Sequence, residues 1–198
     1  MPQNPVVRLI AAVAVLLAVV AVLLLYTPLG RQLWPGENAG AALVGGPFHL
    51  TDQNGRARSD ADFRGQYLLI FFGYSNCPDT CPTTLQTVTM VMAQLGPDAA
   101  KVTPIFITID PERDTLGVLK AFAANFTPRL VALGGTPEEI AAAAKAYRIY
   151  YKKVGDGADY SMDHTALVYL MGPDGRYLGH FPVEAKADDI VKDLRQRF

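Results

Sequence analysis

Residues Tyr67 to Tyr74 read YLLIFFGY, eight positions without a charge. A short unbroken apolar run rich in β-formers marks a strand buried on both faces. Such a strand needs helices above and below it, which restricts the fold to helices packed on a sheet. The neighbouring texture agrees. Pro82 to Leu95 places Leu85, Val88, Met92 and Leu95 on one helical stripe. Val102 to Ile109 (VTPIFITI) reads as a second central strand, with Pro104 the one residue arguing against it. Thr115 to Asn125 predicts a helix and Leu130 to Leu133 a short strand. Thr136-Pro137-Glu138-Glu139 predicts a helix start: Thr136 caps, Pro137 suits the first turn, and Glu139 closes a capping box. Thr165 to Met171, the turn Pro173-Asp174-Gly175 and Tyr177 to Phe181 read as a hairpin, and Ala187 to Phe198 as a closing amphipathic helix.

Preceded by a short strand at Phe48 to Asp52 and the turn Asn54-Gly55, the order is βα, βα, βα, then ββα. It predicts an α/β, thioredoxin-like fold with an inserted strand and helix, preceded by one N-terminal transmembrane helix. That helix comes from a second apolar run. Leu9 to Tyr26 (LIAAVAVLLAVVAVLLLY) carries no charge, Gly or Pro. At ~1.5 Å per residue its 18 residues reach ~27 Å, close to the hydrocarbon thickness of a bilayer. The apolar core of a cleaved signal peptide is shorter, about 7–15 residues, so an uncleaved signal anchor is the better reading. The 198 residues divide into a cytoplasmic leader (1–8), the anchor (9–26), a Gly/Pro-rich flexible linker (27–46) and a folded domain (47–198). Arg8 precedes the run and Arg31 follows it, a slight lean toward a cytoplasmic amino terminus and an outward-facing domain. The net charge of −1 leaves no basic surplus for nucleic acid.

The chain has two cysteines, too few for a disulfide-built scaffold. They stand four apart in Gly73-Tyr74-Ser75-Asn76-Cys77-Pro78-Asp79-Thr80-Cys81-Pro82, between the first central strand and its helix. A helix N-terminus favours thiolate over thiol, and thiolates attack disulfides and bind soft metals. In a helical turn an i, i+4 pair shares one face, so either a bound metal or a disulfide is feasible. Three intervening residues differ from the two of thioredoxin-type exchange enzymes. Of the three histidines, His49 and His180 stand alone and read as packing or surface residues. His164, in Tyr160-Ser161-Met162-Asp163-His164-Thr165, lies just before a central strand. In a thioredoxin-like fold that loop faces the cysteine turn, and here it carries an imidazole where those enzymes carry proline. Met162 is a candidate fourth soft ligand and Asp163 a candidate partner for the imidazole. Asp110-Pro111-Glu112-Arg113-Asp114 reads as a structural loop in which Asp114 or Thr115 caps a helix and Arg113 pairs with a carboxylate, the alternative being a partner-docking segment or an outer shell to the metal site.

Three segments, FFGYSNCPDTCPTTL, FITIDPERDT and DYSMDHTALVYLMGPDGRY, closely resemble the Sco/SenC family in order and spacing, from roughly Pro47 to the end. The resemblance implies that Cys77, Cys81 and His164 are copper ligands, for Cu(I), Cu(II) or both. It implies a metallochaperone that delivers copper to the binuclear centre of cytochrome c oxidase subunit II. A thiol reductant and an upstream copper donor then join that subunit as partners. The alternative reading is a membrane-anchored thiol–disulfide oxidoreductase, with Cys77 and Cys81 as its redox pair, or a redox or copper sensor. No complete peroxidatic arrangement is present. The short leader favours a bacterial inner membrane, with the domain in the periplasm, over a mitochondrial one. One departure, Leu116-Gly117 after DPERDT, lies outside the implied ligands.

Overall fold

The computed structural model describes residues 13–16, 44–157 and 159–198. The leader, most of the anchor and nearly all of the linker lie outside these residues. Residues 13–16 are helical, and no helix among the described residues is long and apolar enough to cross a membrane. The chain divides into two compact units, Met1–Ala42 and Leu43–Phe198. Val44 to Gly46, the end of the expected linker, belong to the second unit. Val44 packs against its core and the Gly45 N–H donates to the Ala146 carbonyl at 2.9 Å.

The second unit is built on a seven-stranded sheet. In chain order its strands are β1 (His49–Asp52), β2 (Ala57–Ser59), β3 (Tyr67–Gly73), β4 (Val102–Thr108), β5 (Val131–Gly134), β8 (Leu167–Met171) and β9 (Tyr177–Pro182). They lie side by side as β2-β1-β5-β4-β3-β8-β9. The central β5-β4-β3 strands are parallel, while β8, β9, β1 and β2 join antiparallel. Helices α1 (Thr80–Leu95), α2 (Leu116–Ala123) and α3 (Pro137–Ala146) follow β3, β4 and β5, and α4 (Ala187–Arg195) closes the chain. This is the mixed α/β, thioredoxin-like architecture that the element order predicts.

The YLLIFFGY strand is buried on both sides, as its composition requires. Successive side chains alternate across a sheet. Phe71 therefore packs on Phe106, and Phe106 on Phe122 of α2, while the neighbouring Phe72 meets Tyr147 and Tyr169 on the opposite face. Pro104 is tolerated because the β5 ladder begins only at Ile105, so the strand's start is not a fully paired central segment. At α3 the predicted start is met in full. The Thr136 hydroxyl accepts from Glu139 N–H, and the Glu139 carboxylate accepts from Thr136 N–H at 2.8 Å.

Two sequence expectations need correction. The strand expected over Thr165–Met171 begins only at Leu167, because Thr165 is turned aside: its N–H donates to the Tyr150 carbonyl and its hydroxyl accepts from Tyr150 N–H. The residues before it form a separate two-stranded ribbon, β6 (Tyr151–Val154) with β7 (Ser161–His164). The ribbon's strands are largely solvated and carry no apolar alternation by which the sequence would reveal them. The second correction is β2, a three-residue edge strand too short to leave a pattern.

Candidate metal centre

β3 ends at Gly73, and the next four residues carry the chain to Cys77. The Cys77 N–H donates to the Tyr74 carbonyl at 3.3 Å, which closes the turn. α1 then starts at Thr80, so Cys81 lies in its first turn while Cys77 precedes the helix. The pair is therefore not an i, i+4 pair within one helix, as the sequence allowed. Instead Cys77 sits in front of the helix N-terminus, and its sulfur accepts the Cys81 N–H at 3.4 Å.

That arrangement separates the two thiols electrostatically. Cys81 is fully buried and Cys77 half-buried. The Cys81 thiol donates to the Cys77 sulfur, which with backbone N–H groups of Cys81 and Asp79 outweighs the cost of burial. Together these bring the Cys77 thiol down to about 5. The same hydrogen bond and its own burial push the Cys81 thiol well up. Near neutral pH the reduced pair holds one proton, on Cys81, and one negative charge, on Cys77.

His164 comes from the last position of β7. Its ring lies edge-on to Phe71 and Tyr74 at centroid distances of 6.1 and 6.2 Å. Nδ1 stands 3.0 Å from the Thr165 carbonyl oxygen. A carbonyl only accepts, so that contact assigns the proton to Nδ1 and leaves the Nε2 lone pair free. Nε2 faces the Cys81 sulfur at 4.0 Å. The imidazole is thus oriented by a backbone carbonyl, and the solvated Asp163 is not its partner.

Metal–sulfur bonds of about 2.3 Å and metal–nitrogen bonds of about 2.0 Å span up to roughly 4.3 Å. The 4.0 Å separation of Cys81 and His164 therefore admits one ion between them. Among the described residues no three His, Cys, Asp or Glu side chains stand in a finished metal cage. For these residues to hold an ion, the two thiols would have to part, lose their shared proton and turn both sulfurs toward it.

Several supporting residues have roles at the site that the sequence did not reveal. Gly73 leaves the space that the Cys81 sulfur fills, since a Cβ there would stand 2.8 Å from that sulfur. Asp114 is buried and ties the cysteine loop to the end of β4. Its carboxylate accepts from Ser75 N–H at 3.0 Å, from the Ser75 hydroxyl, and from the Thr108 hydroxyl at 2.6 Å. The cap of α2 falls to Thr115. Arg113 pairs with buried Asp110 at 2.5 Å, donates to the Tyr160 carbonyl at 2.8 Å and lies 3.5 Å over the Tyr160 ring. The Tyr160 hydroxyl donates to Asp110 at 2.5 Å, and burial with that bond raises it to about 12. The acidic loop braces the cysteine turn and the start of the His164 ribbon. His49 and His180 are both exposed and remote from the site; His180 bonds the Tyr177 hydroxyl.

A sequence model of the SCO1/SenC family matches residues 36–198. The chain belongs to the SCO1/SenC family. It is 44% identical over 162 residues to the mitochondrial SCO1 homolog of Mus musculus, a match covering 80% of this chain and 57% of that protein. The chain thus spans somewhat over half the length of such relatives. Among solved structures, copper-bound ScoI of Bradyrhizobium japonicum superposes with a TM-score of 0.74 at 47% identity, covering 78% of this chain and 99% of that one. BsSco is described as a Sco-family cytochrome c oxidase assembly protein with a disulfide switch. It superposes with a TM-score of 0.64 at 29% identity, covering 78% and 93%.

Proposed function

We propose that this chain is a copper-binding assembly factor that carries copper on Cys77, Cys81 and His164 and delivers it to the binuclear centre of cytochrome c oxidase subunit II. The observation that carries the reading is the placement of the free Nε2 of His164 at 4.0 Å from Cys81, beside a Cys77 sulfur already anionic near neutral pH. Membership of a family with copper-bound structures supports the choice of metal. Two thiolates and one imidazole suit Cu(I), while Cu(II) adds a hard ligand or water and becomes more tetragonal. A single-pass anchor at residues 9–26 would hold the domain in the periplasm, within reach of a membrane-bound oxidase, an upstream copper donor and a thiol reductant. Titration of the reduced chain with copper, beside Cys77→Ala, Cys81→Ala and His164→Ala, tests this. One ion per chain is expected, with each variant weakened and spectrally changed. Stoichiometric binding left unaltered by all three substitutions overturns the ligand set.

A second reading rests on the asymmetry of the two sulfurs. The half-buried, anionic Cys77 is placed to attack a partner's disulfide, and buried Cys81 to resolve the mixed disulfide. Turnover of a partner disulfide by metal-free protein, unaffected by His164→Ala, would favour it.

A further inference from the structure

The copper site opens on one side only. Cys81 is fully buried against β3, so an additional ligand has to approach from the side of Cys77 and His164. On that side lies a cavity of about 300 Å³ whose wall includes Tyr74, Cys77, Met162 and His164. Met162 and His164 are alternate residues of β7, and their half-buried side chains share one face while Ser161 and Asp163 face solvent. The Tyr74 ring meets the His164 ring edge-on at 6.2 Å, which holds this part of β7 against the cysteine turn. Of the five methionines, Met92 and Met171 are core residues, Met90 is exposed on α1, and Met1 lies outside the described residues. Met162 alone of the described ones lines the cavity with Cys77 and His164.

The other polar side chains on that wall, those of Tyr74, Asp79 and Thr80, offer oxygen. These suit hard ions, whereas a thioether suits Cu(I) and is a poor partner for Cu(II). We infer that the Met162 thioether is a fourth, weak ligand that closes the open side of the site selectively over Cu(I). This rests on the copper site proposed above. The thioether donates a lone pair to Cu(I); no bond breaks and no oxidation state changes. The site would then hold the reduced ion more firmly than three ligands can, and a change to Cu(II) would release the fourth.

The test uses the full chain in mild detergent, reduced and loaded with one copper. Met162→Leu keeps the volume and removes the sulfur. Transfer of Cu(I) from this variant to a competing chelator should be about tenfold more favourable, while its Cu(II) absorption spectrum and affinity stay those of the parent. Selenomethionine-substituted parent should show a copper neighbour at the selenium edge, absent from the substituted Met162→Leu protein. Equal Cu(I) retention in both chains, or no selenium–copper contact, overturns the Met162 assignment while leaving the three-ligand site intact. Equal weakening of Cu(I) and Cu(II) marks Met162 as packing only and also overturns it. Failure of the parent to bind copper at all removes the underlying site.

Discussion

Gly73 offers the sharpest test of how the fold holds the cysteine site. Gly73→Ala places a Cβ 2.8 Å from the Cys81 sulfur and 3.0 Å from ring atoms of both Phe71 and Phe106. Carbon contacts are comfortable at about 3.5–4.0 Å, so the new methyl is short of room by roughly 0.5–1 Å on three sides. The strand cannot retreat, because Gly73 pairs with Thr108 and its carbonyl accepts from Ile109 N–H at 2.8 Å. The two rings are wedged in the core. The thiol is the smallest of the three obstacles, and its displacement relieves the clash. Overpacking of this kind costs about 1–3 kcal/mol, which for a domain of this size lowers Tm by roughly 2–12 °C. Metal–ligand distances tolerate only about 0.2 Å. A sulfur moved by more than that leaves the strain uncorrected in the loaded site, and copper affinity falls roughly ten- to a hundredfold. Chelator competition and thermal melts of the metal-free and loaded protein read both numbers. Gly117→Ala is the control. The nearest atom to its added Cβ is 3.9 Å away, and a helical alanine there should raise Tm slightly and leave copper alone. A Gly73→Ala protein with lowered Tm and unchanged copper affinity refutes the claim that Gly73 positions the ligand; one unchanged in both refutes the clash.

Two further outcomes follow from the electrostatics. Between about pH 5 and the ordinary thiol value of 9.0 the folded pair binds one proton and the unfolded pair two, so the stability of the reduced apo protein should rise with pH across that window. Above it the unfolded pair loses both protons while buried Cys81 keeps its own, and stability should fall; denaturant melts of the reduced chain should therefore peak near pH 9, and the peak should vanish in Cys77→Ala/Cys81→Ala. Arg113→Ala leaves the buried Asp110 carboxylate without its cation and removes the bond to the Tyr160 carbonyl. A loss of about 3–5 kcal/mol is expected in denaturant melts, with faster amide exchange in the β6–β7 ribbon; an unchanged ribbon would refute its role as the brace.

The parts of the fold that the sequence predicts well are those that repetition makes visible. β3 and β4 are predominantly apolar because both faces are covered, and α3 carries a capping box whose two hydrogen bonds both form. The ribbon was invisible for the opposite reason. Lys152, Lys153 and Asp163 are solvated, and its strands cohere through backbone pairing that any side chains permit. At the site, the three reactive groups were legible as residue types at a particular place in the fold. Their supports were not. A glycine at a strand end, a serine in a turn and an aspartate after an arginine have ordinary local explanations. Only three-dimensional placement shows Gly73, Ser75 and Asp114 meeting around one loop.

The same geometry links copper binding to thiol oxidation. On the proposed ligand set copper and a disulfide would compete for the same two sulfurs, since an oxidised Cys77–Cys81 pair has no thiolate to offer. The reduced pair is biased unevenly. Cys77 is already ionised near neutral pH, and Cys81 gives up its proton only when something positive replaces it. At the proposed site an incoming copper ion would do so, meeting Cys77 first because that sulfur is only half-buried. Binding there would draw the proton from Cys81 and bring in His164, whose ring already presents a free nitrogen. An oxidant meets the same sulfur first. The order in which reductant, copper and partner reach Cys77 therefore decides which chemistry this site performs.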